Sequence, residues 1–116
     1  MNEPAQGSVV LVDFTYSNQV QSKVRPALVM SNSRYNTSSR DVIVMKITSR
    51  KPKIMAVGLT NDDLLAGSLD HPSFIQVDGI YALEKTLICN TIGVVRPEKM
   101  IEIRTLVSDL FAPDSG

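Results

Sequence analysis

Short apolar runs, each bounded by polar turn residues, recur along most of the chain. They are rich in Val, Ile and Leu, and Gly, Pro, Asn and Ser stand between them. Runs of this length and composition are typical of β-strands, although periodicity alone does not distinguish a buried strand from a buried helix. The pattern therefore predicts about six strands. They are Ser8–Phe14, Ala27–Met30, Val42–Ile47, Ile54–Leu59, Ser73–Leu83 and Thr86–Val95.

The pattern changes to a helical period at the end of the chain. Pro97 stands at the first helical position and Glu98 in the first turn, and both favour a helix start. Strands with short turns followed by one helix predict a mainly β fold, a small, partly open antiparallel barrel with a C-terminal helix. The apolar residues of this helix recur every three or four positions, at Met100, Ile103, Leu106, Val107, Leu110 and Phe111.

Three features between and within the runs carry more specific predictions. Ser31–Asp41 is polar and is predicted to be a loop. Asn61–Leu65 is predicted to form a helical turn, with Asn61 as its cap and carboxylates in its first turn. Gly79 interrupts the fifth predicted strand and indicates a β-bulge there.

Length and charge restrict the class of protein. The chain has 116 residues, enough for one domain, which we expect to span residues 1–116. Lys plus Arg equals Asp plus Glu, at 12 each, so any basic nucleic-acid site must be local. Three Tyr, three Phe and no Trp leave little for an extended base-stacking surface.

The single cysteine and the shortness of the apolar runs bear on location. Cys89 has no partner for an intramolecular disulfide, which fits a reducing cytosol, and we expect it to be a small buried side chain. Residues 1–7 lack a basic segment followed by an apolar one, so a secretory signal is not expected. No apolar run approaches the length of a membrane span. We therefore expect a cytoplasmic protein with no membrane partner.

Arg25 and Thr48 mark the ends of two successive predicted strands. Arg25 precedes Pro26, which favours an extended backbone at the arginine, and Thr48 and Ser49 follow the run Val42–Ile47. If the two strands pair antiparallel, the arginine lies beside both hydroxyls. A guanidinium next to two hydroxyls suits a phosphate, because Arg forks onto phosphate oxygens. An arginine on a solvent-facing rim is the alternative interpretation.

Further polar residues are candidates for the same site. A basic cluster surrounds Thr48 in the sequence and supports phosphate binding, although a solvated charged face is the alternative. By alternation along the fifth predicted strand, Gln76 and Asp78 share one face. They line the site only if that face meets Arg25 and Thr48. The basic residues of the cluster are Lys46, Arg50, Lys51 and Lys53.

Four segments and the closing helix match one known family in order and spacing. The segments are Gly7–Phe14, Lys23–Asn32, Asp41–Ser49 and Val77–Ile88. Through them the chain resembles the MazF/PemK toxins, the sequence-selective mRNA endoribonucleases of toxin–antitoxin pairs. The resemblance implies an SH3-like or CcdB-like barrel, a homodimer, single-stranded RNA as substrate and an antitoxin protein as partner. It also implies catalysis without a metal or another cofactor.

The resemblance assigns roles to individual residues. Arg25 matches the family's catalytic arginine, and Thr48 matches its catalytic threonine. Asp78 matches an acidic position near the site in some members. The loop Phe14–Val24 matches a loop that receives RNA and is a target of the antitoxin. The residues expected to bind RNA or to line the site are Phe14, Tyr16, Ser17, Asn18, Lys23, Ser49, Arg50, Lys51, Lys53, Gln76 and Asp78.

The reaction that the family implies uses the ribose 2′-OH as nucleophile and leaves a 2′,3′-cyclic phosphate and a 5′-OH end. Arg25 and Thr48 would stabilise charge on the non-bridging oxygens. His71, the only histidine, lies in a predicted turn, which places no obvious imidazole base at the site. Gln76 stands where some members carry an arginine. A non-catalytic binding module on the same fold, such as the CcdB-like relatives that poison gyrase, is the alternative function.

Overall fold

The computed structural model describes residues 3–14 and 23–115, which form an antiparallel sheet and two helices. Seven strands lie within these residues, one more than the number predicted. The strands are β1 (Ser8–Asp13), β2 (Val24–Val29), β3 (Asp41–Thr48), β4 (Ala56–Leu59), β5 (Leu64–Gly67), β6 (Ser73–Glu84) and β7 (Ile88–Val95). The helices are α1 (Ser33–Ser38) and α2 (Pro97–Leu110).

Every strand pair in the sheet is antiparallel. The strand order is β4-β6-β3-β2-β1-β7-β5, so the two shortest strands, β4 and β5, form the edges. The sheet curls into a half-barrel, and α2 packs against it at β6. The predicted mainly β fold, a partly open antiparallel barrel with a C-terminal helix, is confirmed.

The central strands are buried on both faces. Leu28 on β2 and Met45 on β3 belong to a larger apolar cluster, which α2 covers with Ile103. Their strand neighbours Val29 and Val44 belong to a second cluster on the opposite face, together with residues of β1. Because successive side chains of a strand point to opposite faces, burial on both faces explains the continuous apolar runs in the sequence.

A short helix lies in the segment that was predicted to be a loop. α1 follows Asn32, whose side-chain oxygen accepts a hydrogen bond at 3.0 Å from a backbone amide of the first turn. Asn36 is fully buried, and its amide donates to the carbonyl oxygens of Pro4 (2.8 Å) and Ser31 (2.9 Å). The prediction of a loop over Ser31–Asp41 is therefore wrong. A helix of 6 residues is too short to show an apolar period.

The segment predicted to be a helical turn divides into a turn and a strand. Thr60 and Asp63 cap the 3-10 turn Asn61–Asp63, so the predicted cap at Asn61 is wrong. The next residues form β5 and pair with β7. Gly67 ends β5 with a φ of 79°, and a Cβ there would collide with the backbone of β7.

The β-bulge predicted at Gly79 is present. The β3–β6 pairing shifts register between Met45 and Ile47. A Cβ on Gly79 would lie 2.9 Å from the Cβ of Lys46, so the close approach of the two strands requires glycine. The bulge changes which alternate residues of β6 reach the second cluster, and Tyr81 is one of them.

Cys89 is exposed, and the expectation that its side chain is buried is wrong. It lies in the first half of β7, where the strand is largely open to solvent. Within residues 3–14 and 23–115, no helix is long and apolar enough to cross a membrane.

Candidate active site

The pairing of β2 with β3 brings Arg25 and Thr48 together. The predicted antiparallel arrangement is confirmed, and the last paired residues are Ala27 and Lys46. The same register, continued along both strands, sets Arg25 opposite Thr48. By alternation from Ala27 and Val44, which lie in the second cluster, Arg25, Lys46 and Thr48 share the face of that cluster.

One depression beside this pair, here called the lysine lobe, is basic and aromatic. It has a volume of about 350 Å³, and Phe14, Lys23, Lys46 and Tyr81 are among its lining residues. The ring centroids of Phe14 and Tyr81 lie 6.2 Å apart, with an angle of 46° between the ring planes. Both lysines are exposed at the rim. Two cations next to two aromatic rings suit a nucleotide, whose phosphate and base have these complementary properties.

Burial raises the pKa of the Tyr81 phenol above its ordinary value. The hydroxyl therefore stays protonated at neutral pH. In this state Tyr81 can donate a hydrogen bond to an oxygen of a ligand in the lysine lobe, but it cannot accept a proton as a base.

A second depression, here called the histidine lobe, has a volume of about 250 Å³. Thr48, Ser49, Asp70 and His71 contribute to its polar lining, together with Arg25. Apolar residues from β1, β2 and β7 complete the wall. The expectation that no imidazole lies at the site is wrong, because the β5–β6 connection brings His71 into the same depression as the arginine and the threonine.

Arg25 lies at the junction of the two lobes, because it lines both of them along with Pro26 and Ile47. Its side chain is exposed, and within the described ranges 3–14 and 23–115 the guanidinium has no hydrogen-bond or salt-bridge partner. An unpaired guanidinium keeps both arms of its fork available to an anion.

The hydroxyl of Thr48 is held in place by a backbone contact. Its Oγ1 accepts a hydrogen bond from the amide of Arg50 at 3.2 Å. Because this contact uses a lone pair, the hydroxyl hydrogen remains free to donate to a phosphate oxygen. Arg25 and Thr48 both line the histidine lobe, where each can donate hydrogen bonds to an anion.

The other predicted site residues divide into three groups. Phe14, Lys23 and Ser49 line one or other lobe. Tyr16, Ser17 and Asn18 fall outside the described residues. The remaining five line neither lobe in the described part of the chain: Arg50, Lys51, Lys53, Gln76 and Asp78.

Gln76 and Asp78 lie before the bulge of β6, and Gln76 pairs with Ala56 of the edge strand β4. Tyr81, which lines the lysine lobe from the same strand, lies after the bulge and pairs with Val44 of β3. Lys46 also contacts the bulge at Gly79, immediately after Asp78. The site-lining role predicted for Gln76 and Asp78 is therefore not seen in these two depressions.

Lys46, named from the sequence only as a member of the basic cluster, lines the lysine lobe, and it alternates with Thr48 on β3. Two other lining residues, Tyr81 and His71, were not among the predicted site residues. Tyr81 could not have been found from the sequence, because the bulge at Gly79 changes the alternation of β6 by an amount that sequence does not show. His71 could not either, because its place depends on the long-range pairing of β5 with β7.

Within the part of the chain that the structure describes, no group of three or more His, Cys, Asp or Glu side chains could hold a metal ion. The candidate site is instead built from cations, hydroxyls, aromatic rings and one imidazole.

Comparison with known proteins shows the family to which the chain belongs. A sequence model of the "PemK-like, MazF-like toxin of type II toxin-antitoxin system" matches residues 5–111. The chain belongs to this family. The resemblance inferred from the sequence segments is thereby confirmed. The match includes both Arg25 and Thr48 and all seven strands of the half-barrel.

Individual family members show how far the similarity extends. Endoribonuclease MazF1 of Mycobacterium bovis is 28% identical over 109 residues, which cover 93% of this chain and 92% of that protein. Endoribonuclease MazF4 of Mycobacterium tuberculosis has the same identity and coverage.

Solved structures of family members share the fold. A mycobacterial endoribonuclease, solved in complex with its cognate antitoxin, superposes with a TM-score of 0.74 at 27% identity and covers 99% of this chain and 100% of that chain. MazE–MazF from Deinococcus radiodurans superposes with a TM-score of 0.75 at 22% identity, covering 94% and 96%.

Proposed function

We propose that this PemK/MazF-family chain is a toxin endoribonuclease that cuts single-stranded mRNA. The observation that carries the proposal is that Arg25, at the junction of the two lobes, and Thr48 both line the histidine lobe with donor groups. Proteins similar to the chain over nearly its whole length carry the name endoribonuclease. Single-stranded RNA is the proposed substrate, because unpaired nucleotides can enter two adjacent depressions that a stacked helix cannot.

The proposed reaction is transfer of the phosphodiester to the adjacent 2′-oxygen. The bond from the 2′-oxygen to phosphorus forms, the bond from phosphorus to the 5′-oxygen breaks, and the products are a 2′,3′-cyclic phosphate and a 5′-OH end. Negative charge builds on the non-bridging oxygens, where the Arg25 fork and the Thr48 hydroxyl donate hydrogen bonds. Since RNA itself supplies the nucleophile, DNA is not a substrate.

The lysine lobe is proposed to hold the nucleotide next to the cleaved bond. Lys23 and Lys46 neutralise flanking phosphates, and the rings of Phe14 and Tyr81 contact a base. With three cations around the phosphate, we propose that the reaction needs no metal and no other cofactor. We propose that the other residues predicted from the sequence are outer RNA contacts. They are Ser49, Arg50, Lys51, Lys53, Gln76 and Asp78, together with Tyr16, Ser17 and Asn18, which lie between β1 and β2 in the sequence.

The proposed partners follow from the family. A mycobacterial member with the same fold was solved with its cognate antitoxin, and we propose that an antitoxin also inhibits this toxin. We further propose a homodimer that acts in the cytoplasm, where the lone Cys89 would stay reduced.

The test compares wild type, Arg25→Ala and the matched control Arg34→Ala on a long single-stranded RNA in EDTA. Arg34 is an exposed arginine on α1. Wild type and Arg34→Ala are expected to produce mapped ends with a 2′,3′-cyclic phosphate. Arg25→Ala is expected to be slower by about a hundredfold to a thousandfold. Binding without cleavage by folded wild-type protein, over many RNA sequences, would instead support the non-catalytic module.

A further inference from the structure

The loop that carries His71 is anchored on both sides of the histidine. Before it, the Leu69 amide donates to the Asn61 side-chain oxygen at 2.7 Å, and the Asn61 amide donates back to the Leu69 carbonyl at 3.4 Å. After it, the hydroxyl of the buried Ser73 donates to the His71 carbonyl at 3.3 Å. The loop backbone is therefore fixed at His71, whose exposed side chain lines the histidine lobe.

The proposed reaction requires a group that removes the proton of the 2′-OH, and few side chains near Arg25 are suited to this. Lysines and arginines are already protonated at neutral pH. Tyr81 keeps its proton, because burial raises the pKa of its phenol. Asp78 lines neither lobe. Among the described residues that line the two lobes, His71 and Asp70 are left, and imidazole is the side chain best matched to proton transfer near neutral pH.

We propose that His71 is the general base of RNA cleavage, an inference that rests on the proposed endoribonuclease function. A phosphate between Arg25 and Thr48 would place its ribose over the histidine lobe, within the depression that His71 lines. This assigns the two lobes different roles. The histidine lobe activates the nucleophile, and the lysine lobe holds the neighbouring nucleotide.

Each proton in the proposed step has a donor and an acceptor. An unprotonated nitrogen of His71 takes the proton of the 2′-OH as the 2′-oxygen bonds to phosphorus. The electron pair of the broken bond goes to the 5′-oxygen, which takes a proton from solvent water. His71 then returns its proton to solvent, so the enzyme ends each cycle in its starting state.

Charged groups on each side of His71 fit this role. Arg25 lines the histidine lobe together with it. Asp70 lines the same lobe, and Asp62 shares a second depression with His71 on the outer side of the loop. Both carboxylates thus lie in depressions that His71 lines, where positive charge forms when the proton is transferred.

The test uses an RNA whose cleavage motif has been mapped with wild-type protein. The value of kcat/KM is measured as a function of pH for wild type, His71→Gln, His71→Ala and Asp70→Asn. The wild-type rate is expected to fall at acid pH, where imidazole titrates. His71→Gln should lose about a hundredfold or more in kcat/KM and also lose this acid limb. Added imidazole should partly restore His71→Ala.

A binding measurement separates a chemical role from a structural one. The probe is the same RNA with a 2′-deoxynucleotide at the cleavage position, which binds but cannot react. Its Kd is expected to change less than about threefold in His71→Gln, because a general base contributes to the chemical step and not to binding.

Three results would overturn the proposal. The first is His71→Gln with kcat/KM within about threefold of wild type and an unchanged acid limb. The second is loss of the acid limb in Asp70→Asn alone, which would assign the base to Asp70. The third is weaker binding of the deoxy probe that accounts for the whole loss of rate. Each leaves the endoribonuclease function intact, whereas a wild type that cuts no RNA would end that function as well.

Discussion

Arg25 on β2 lies opposite Thr48 on β3, two residues beyond the last paired residues, Ala27 and Lys46. At this point the two strands leave the apolar interior, and both side chains line the histidine lobe, while Arg25 also lines the lysine lobe. The neighbouring pairs Leu28–Met45 and Val29–Val44 are fully buried. Thus the core that stabilises the sheet also sets the spacing of the arginine and the threonine.

Two substitutions of Thr48 distinguish the role of its hydroxyl from that of its methyl group. Thr48→Val keeps the shape but removes the donor, and we expect a loss of about a hundredfold in kcat/KM. Thr48→Ser keeps the donor and should stay within about tenfold of wild type. Equal cleavage rates for Thr48→Val and Thr48→Ser would show that the hydroxyl takes no part in the reaction.

Lys46 tests whether RNA occupies the lysine lobe. Lys46→Ala removes one phosphate contact, so RNA binding should weaken at low salt and the salt dependence should become less steep. The slope of log Kobs against log salt should fall in magnitude by about 0.7, the value for one contact to a single strand. Binding titrations over a range of salt concentrations measure it. Arg34→Ala, an equal loss of charge on α1, should leave the slope unchanged.

Because the Tyr81 phenol is partly buried, we expect the free energy of unfolding to depend on pH in the alkaline range. Its pKa is raised in the folded protein because of burial, so above about pH 10 the unfolded chain loses this proton more readily than the folded one. The contribution of the protonated phenol to stability is complete below the pKa that Tyr81 has in the unfolded chain. It is lost as the pH rises through the higher pKa that Tyr81 has in the folded protein. Wild type should therefore lose more free energy of unfolding between about pH 9 and pH 11 than Tyr81→Phe does, because tyrosine titrates within this range. Equal losses in urea titrations of the two proteins would contradict a buried phenol.

α2 offers a matched pair of isoleucines. Ile103 is fully buried in the larger cluster, whereas Ile101 is 57% exposed. Ile103→Ala should lower the free energy of unfolding by about 2–5 kcal/mol, because it leaves a cavity under the helix. Ile101→Ala should cost about 0.5 kcal/mol or less. Similar losses in denaturant titrations would mean that α2 does not pack on the sheet through Ile103.

The sequence predicts those parts of the site that depend on local order. Arg25 and Thr48 lie on successive strands, and antiparallel pairing of neighbours is enough to bring them together. Phe14 and Lys23 directly flank the loop between β1 and β2, so their place also follows from chain order.

The rest of the site depends on relationships that no short segment contains. His71 lines the same depression as Arg25 because β5, which precedes its loop, pairs with β7. Tyr81 faces the lysine lobe because of the register shift at the β6 bulge. α1 depends on the buried Asn36, whose partners Pro4 and Ser31 belong to separate parts of the chain. Each of these arrangements is tertiary and overrides local pattern.

The central claim is that Arg25 and Thr48 act on the same phosphate, and a double-mutant cycle tests it most directly. Cleavage of one mapped RNA in EDTA would be measured for wild type, Arg25→Ala, Thr48→Val and the double variant. If both groups stabilise one transition state, the double variant should be little slower than Arg25→Ala alone. If the two losses multiply in full, the residues act independently, and the shared site at the junction of the lobes is contradicted.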